Sequence, residues 1–300
     1  MKKSARIFED ELQDLNLGSE DDPKMVRVSI HVQGQFREDL KALLMEYKDV
    51  FAWDYADMKG IDPNLYQHRI NSKQDAVPVI QQRYRINPNY AKQVKEEIDK
   101  LLQVGFIKPV HKVTWLSPIV IVPKKNGKIR VCVDYRKLNA ATLTDPFPLP
   151  YCDTLLDAVA GHEMYSFLDG FSGYNQIRMA PEDEGKTAFI TEWGAFVFTV
   201  MSFGLKNGPP SFLEVAQKTF EPYLTDFMRV FMDDFSVFGK KDEHLNHLRL
   251  CLERCRMFRM SLNPFKCAIA VKRGVLLGHV ISEEGMAIDS RKIEAIQKAP

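Results

Sequence analysis

Apolar and polar positions alternate along this chain with two different periods, and the switches between them mark out its elements. Over residues 35–51, QFREDLKALLMEYKDVF, the apolar positions Phe36, Leu40, Leu43, Leu44 and Tyr47 recur at helical spacing and predict an amphipathic helix. NPNYAKQVKEEIDKLLQVG carries a full set of helix signals. Asn87 is the N-cap, Pro88 opens the first turn, Tyr90, Val94, Ile98, Leu101 and Leu102 form the inward stripe, and Gly105 is the stop. In SPIVIVPKKNGKIRVCVDY two β-branched runs meet near Asn126-Gly127, which reads as a β-hairpin. Further strands are expected at MYSFLD (164–169), YNQIRMA (174–180), FVFTV (196–200), 267–271 and 275–281. Helices are expected from near Pro209, over about 241–260, and from Ser290 to Lys298. No repeat or low-complexity tract interrupts the pattern. Helices mixed irregularly with antiparallel hairpins indicate an α+β fold, not a doubly wound sheet.

Charge changes this picture in two places. The first 22 residues carry Lys2, Lys3 and Arg6 against Glu9, Asp10, Glu11, Asp14, Glu20, Asp21 and Asp22, and are expected to be disordered. Residues 121–140 carry Lys124, Lys125, Lys128, Arg130, Arg136 and Lys137 against Asp134 alone, which suggests a polyanion site inside a chain of net charge +1. Five cysteines at irregular spacing argue for a reducing compartment. The charged N-terminus lacks a signal-peptide core, and no apolar run reaches the ~20 residues of a membrane span. An intracellular, soluble protein is expected.

The candidate chemistry lies in RVFMDDFSVF, a strand–turn–strand pattern with Asp233 and Asp234 at the turn. A like-charged pair within apolar sequence is costly to bury unless a cation meets it. Successive strand residues face opposite sides, so Asp233 is expected as the direct ligand and Asp234 as the weaker one. Asp169, at the end of MYSFLD, is the third candidate. Hard oxygen ligands without histidine or cysteine suit Mg²⁺, and paired ions serve phosphoryl transfer. An isolated Asp-Asp is more often just a polar turn. EGKT (184–187) lacks the glycine and the helix of a phosphate loop, and His244, His247, Cys251 and Cys255 lie on one helical stripe that cannot surround a zinc ion.

The surrounding motifs decide against the plain turn. WLSPIVIVPKKNGKIRVCVDYRKLN, PFPLP, SFLDGFSGYNQIRM, KTAFITEWGAFVFTVMSFGLKNGPPSF, VFMDDFSVF, LNPFKC and VLLGHVIS occur in the order and spacing of the reverse transcriptase of gypsy-type LTR retrotransposons, which the chain resembles over about 85–298. DVFAWDYADMKGIDP and QHRI look like the segment joining protease to polymerase in plant elements. The resemblance implies a right-hand polymerase fold with a mainly antiparallel palm sheet. It also implies an N-terminal extension over 1–84 that is partly disordered and holds one helix, fingers and palm over 85–285, and the start of a thumb or connection over 286–300. It implies an RNA-directed DNA polymerase that uses two Mg²⁺ ions, with Mn²⁺ as substitute, to join dNTPs to a primer on an RNA or DNA template, and a cytoplasmic, particle-associated or nuclear location. No membrane partner is expected, and the oligomeric state is left open. By position, Asp169, Asp233 and Asp234 are the metal triad, and Lys266 is a proton donor to pyrophosphate. Lys124, Lys125 and Arg130 hold the triphosphate, Tyr174 excludes a 2′-hydroxyl, and Phe203 lies by the template. Leu277, Gly278 and His279 form the primer grip. The chain departs from the family at Phe231, usually tyrosine, and at Leu213, usually glutamine. These departures imply weakened turnover, and they keep a second reading in view, an inactive remnant that binds nucleic acid or protein. The chain is also expected to be a fragment of a larger polyprotein.

Overall fold

The computed structural model describes residues 10–123, 129–148 and 150–289. In chain order the first elements are β1 (Leu12–Asn16), β2 (Met25–Ser29), α1 (Gly34–Glu46), β3 (Gln67–His68), α2 (Pro88–Gln103), β4 (Ile107–Pro109), β5 (Ser117–Pro123) and β6 (Ile129–Val133). There follow α3 (Arg136–Ala141), α4 (Cys152–Val159), β7 (Met164–Asp169), β8 (Arg178–Met179), β9 (Phe189–Thr191), β10 (Gly194–Phe198) and α5 (Gly208–Phe220). The last are β11 (Met228–Phe231), β12 (Asp234–Gly239), α6 (Lys241–Phe258), β13 (Ala268–Val271), β14 (Gly274–Leu276), β15 (His279–Ser282) and β16 (Gly285–Ile288). The chain divides into two compact units. One takes the described residues up to Lys59, Pro148–Phe171 and those from Leu213 on; the other takes Gly60–Phe147 and Ser172–Phe212.

The first unit is built on a six-stranded sheet in the order β1-β2-β13-β7-β12-β11. All six residues of β7 are buried, as a central strand covered on both faces must be. On one face Tyr165 and Phe167 of β7 pack with Phe238 of β12, Leu155, Leu156 and Val159 of α4, and Ile281 of β15. On the other, Ser166 meets His244 of α6, Oγ to Nε2, at 2.7 Å. That contact follows from the two-residue period of the strand. The second unit holds a five-stranded sheet in the order β4-β10-β9-β5-β6 and the short parallel pair β3-β8. There Asn87 caps α2 as expected, its Oδ1 accepting from the Asn89 amide at 3.0 Å. Antiparallel ladders predominate in both sheets, in keeping with the α+β fold expected. Among the described residues no helix is long and apolar enough to cross a membrane.

Two expectations are corrected. The opening acidic segment is not disordered to Asp22, because Leu12–Asn16 pairs with Met25–Ser29 in an antiparallel hairpin. Leu15 and Leu17 are buried, and Asn16 Oδ1 accepts the amides of Gly18 and Lys24 at 2.8 and 2.9 Å, which closes the turn while Glu11, Asp14, Glu20, Asp21 and Asp22 stay exposed. β1, β2 and α1 belong to the first unit. YNQIRMA is not a seven-residue strand. Gly173–Gln176 forms a 3₁₀ turn entered through Ser172 at φ 46°, and only Arg178–Met179 extends. The buried side chains of Asn175 and Gln176 mimic a strand pattern without being one. The helix expected over Ser290–Lys298 lies outside the described residues.

Candidate active site

The register of β7, β12 and β11 brings the acidic residues together. Asp234 is the Cα partner of Asp169, and the ladder continues through Phe235–Leu168 to Gly239–Met164. Directly opposed residues of antiparallel strands share a face, so Asp169 and Asp234 are neighbours. Asp233 occupies the two-residue loop between Phe231 and its partner Asp234. Met232 opens that loop at φ 54°, a left-handed conformation that costs a non-glycine residue about 1–2 kcal/mol. The Asp233 carbonyl accepts from the Gly170 amide at 3.3 Å, which ties the loop to the residue after Asp169. Asp169 and Asp233 are only 4% and 6% exposed, so both carboxylates are largely withdrawn from water. The expectation put Asp233 foremost; the register puts Asp234 directly across from Asp169, with Asp233 joining them through the loop.

Lys266 reaches the same place through a turn organised by Asn263. The Asn263 amide donates to the Asp169 carbonyl at 2.8 Å. Its carbonyl then accepts from the Lys266 and Cys267 amides at 3.1 Å each, and its Oδ1 from the Phe265 amide, also at 3.1 Å. This Asx-type turn leads the chain back, so that Lys266 Nζ lies 3.1 Å from Asp169 Oδ1. The role of Asn263 was missed from sequence, although Asn-Pro after a helix is a turn signal.

The segment Leu277, Gly278 and His279 belongs to a hairpin, Gly274–Leu276 with His279–Ser282, in which Leu276 pairs with His279. Its loop residues Leu277 and Gly278 both have positive φ, 52° and 78°, the signature of a two-residue I′ turn. Leu277 packs against the core cluster that contains Phe167. The strand before it passes so close that a Cβ on Gly274 would stand 2.2 Å from Phe167 Cε2.

In the second unit Tyr174 is partly buried against Phe203 and Phe212, with ring centroids 4.8 and 6.0 Å away. Burial raises its hydroxyl pKa, so the ring presents a neutral phenol. Phe203 is half exposed. Arg130 is an exposed residue of β6 paired with Val122, and Lys124 and Lys125 lie outside the described residues. A feature not foreseen is the buried Asp134. Arg136 binds it through Nε at 2.8 Å and Nη2 at 2.6 Å, with the Tyr84 hydroxyl at 3.1 Å. Those Arg136 hydrogen bonds hold the Asp134 carboxyl down at about 2. The motif VDYR hides this fork because i,i+2 pairs are not read from period alone.

As donors, Asp169, Asp233 and Asp234 suit a hard divalent cation. Among the described residues no three His, Cys, Asp or Glu side chains form a ready-made cage. Mg²⁺ typically takes one or two carboxylates and completes its shell from water and substrate phosphates, so the donor set fits it.

Residues 122–281 match the family model for reverse transcriptase (RNA-dependent DNA polymerase). The chain is 31% identical over 272 residues to the retrovirus-related Pol polyprotein from transposon 412 of Drosophila melanogaster, covering 88% of this chain and 22% of that protein. It is 26% identical over 264 residues to the transposon Tf2-3 polyprotein of Schizosaccharomyces pombe, covering 86% of the chain and 19% of the relative. Its fold matches the foamy viral protease–reverse transcriptase solved with double-stranded DNA and with an RNA/DNA hybrid, each at a TM-score of 0.80 and 22% identity over 90% of this chain. Those matches span 47% and 36% of the solved chains, so the chain corresponds to part of its relatives. With the family model covering more than half of its length, and with paired aspartates at the meeting of β7 and β12, the chain belongs to the reverse transcriptase family.

Proposed function

We propose that this chain is the fingers and palm portion of an RNA-directed DNA polymerase from a gypsy-type LTR retrotransposon. The observation that carries the reading is the register that sets Asp234 opposite Asp169, with Asp233 in the intervening loop and Lys266 on Asp169. The first unit supplies the palm and the second the fingers. The order of the seven motifs supports the gypsy-type assignment.

Asp169, Asp233 and Asp234 would hold Mg²⁺, which when bound supplies charge stabilisation to the reacting phosphates. Lys266, with three donors on a flexible stem, is suited to give a proton to departing pyrophosphate. Arg130, with Lys124 and Lys125, meets the triphosphate, for which basic side chains are the natural partners. Tyr174 presents a rigid ring where a ribose 2′-hydroxyl would need room. Leu277, Gly278 and His279 steady the primer end, and Phe203 contacts the template side. The nucleic-acid partners follow from complexes of the foamy viral relatives with double-stranded DNA and RNA/DNA hybrid.

Extension of a DNA primer on an RNA template, with Mg²⁺ or Mn²⁺ and dNTPs, tests the reading. Incorporation by the purified chain supports it, and its absence with primer–template bound and metal present overturns it.

A further inference from the structure

The ion pair between Lys266 and Asp169 joins two groups of different freedom. Asp169 is held on three counts: it ends a fully buried strand, its carbonyl accepts the Asn263 amide at 2.8 Å, and its side chain is 6% exposed. Lys266 is fixed only at its backbone, while its side chain is 41% exposed and reaches Asp169 Oδ1 at 3.1 Å. A carboxylate withdrawn from water needs a cation beside it, and here the ammonium fulfils that need without any other ligand. Asp234, a second carboxylate of the site, is the Cα partner of Asp169 across the ladder. Mg²⁺ held by Asp169 would need the space beside its carboxylate that the ammonium fills, so ammonium and metal would compete in charge and in space.

We propose that Lys266 is a built-in competitor of the metal at Asp169. Resting on the reading of these carboxylates as metal ligands, the proposal adds to Lys266 a role before chemistry. Its ammonium neutralises Asp169 and weakens the binding of metal alone. A triphosphate arriving with its metal would draw the ammonium to its own negative charge and free Asp169, so metal and nucleotide would bind together. The flexible four-carbon stem allows that swing, and the Asn263 turn guarantees the return. Lys266 is thereby a residue that sets metal affinity and order of binding, apart from any proton it later donates.

The test uses the purified chain without nucleotide and follows free Mn²⁺ by electron paramagnetic resonance. Lys266→Met and Lys266→Gln, which remove the charge, are expected to bind Mn²⁺ roughly tenfold more tightly than the wild type, a change of about 1.4 kcal/mol. Lys266→Arg, which keeps the charge, is expected to stay near the wild-type affinity, and Asp169→Asn to abolish the gain when combined with Lys266→Gln. Circular dichroism melts in EDTA identify any variant that fails to fold, and two neutral replacements of different polarity guard against that loss. Equal or weaker Mn²⁺ binding by folded neutral variants overturns the proposal while leaving the metal site standing. If no form shows binding that Asp169→Asn reduces, the metal reading falls, and the proposal with it.

Discussion

At Gly274 one added carbon has no room, because it would land 2.2 Å from a ring atom of Phe167, which is itself fully buried. Gly274→Ala must therefore push the Gly274–Ser282 hairpin off the sheet. Overpacking of this kind costs about 1–3 kcal/mol, visible as a lower urea midpoint. Because the hairpin carries Leu277, Gly278 and His279, primer–template affinity should fall with it; an unchanged midpoint would contradict the close packing. Tyr174 makes a second prediction. Trimming it to valine should raise ribonucleotide over deoxynucleotide incorporation by roughly tenfold or more, since the 2′-hydroxyl is what a site can use to tell the two apart. A flat ratio in an active variant would remove Tyr174 from that role. Asp169, Asp233 and Asp234 stood out in the sequence because charged residues are conspicuous in apolar strands, whereas Lys266 was picked out only by its place in the motif LNPFKC. Which aspartate faces Asp169 was not legible, since it depends on a register between strands far apart in the chain.

Three elements, β7, α6 and β13, are joined by a buried polar chain. The β13 ladder slips between Ala268 and Val271, and the Ala270 amide, at φ 56°, donates to Ser166 Oγ at 3.0 Å. Ser166 Oγ in turn lies 2.7 Å from His244 Nε2, within hydrogen-bond reach. Burial, with His247 nearby, pushes the His244 pKa down to about 3, and burial pushes that of His68 down to about 4. An unfolded histidine binds its proton near 6.5, so below that pH the unfolded state takes up protons that the fold refuses. Stability is therefore expected to fall from pH 6.5 downward, by about 1 kcal/mol per histidine by pH 5.5. Urea unfolding at pH 7.5 and 5.5 should show a smaller loss in His244→Gln than in the wild type, and equal losses would contradict the assignment. On α5 Leu213 is fully buried. Leu213→Gln, which restores the usual family residue, should cost about 1–3 kcal/mol in stability, because its amide enters apolar packing. A thermal melt checks this, and an unchanged Tm would mean the amide finds partners. Helix α2 was legible because capping and period agree there. The hairpin of β1 and β2 was not, because two buried leucines are outweighed in composition by the acids around them.

The first unit is assembled from three stretches of chain, and its N-terminal stretch is structural. β2 lies parallel to β13, the Ala52 amide donates to the Leu262 carbonyl at 2.9 Å, and the Leu262 amide to the Val50 carbonyl at 2.9 Å. Arg256 of α6 binds Asp49 and stacks 4.2 Å over the ring of the buried Tyr47. A chain begun at Gly60 would lose two strands and expose the edge of β13, so it should aggregate or melt without cooperativity. Sedimentation and a thermal melt check this; a soluble chain with an unchanged Tm would contradict it. The α+β class and the antiparallel ladders followed from the order of periodic segments, whereas the joining of residues 10–59 to a sheet centred on β7 required pairings that no local pattern carries. In the proposed function the aspartates meeting at β7 and β12 perform nucleotidyl transfer and contribute little to holding nucleic acid. Asp169→Asn measured beside the wild type for dNTP incorporation and for primer–template affinity tests it directly. The account predicts incorporation lost with affinity kept within a few-fold, because phosphate contacts supply most of the binding; incorporation retained by the variant, or lost only in step with binding, would contradict it.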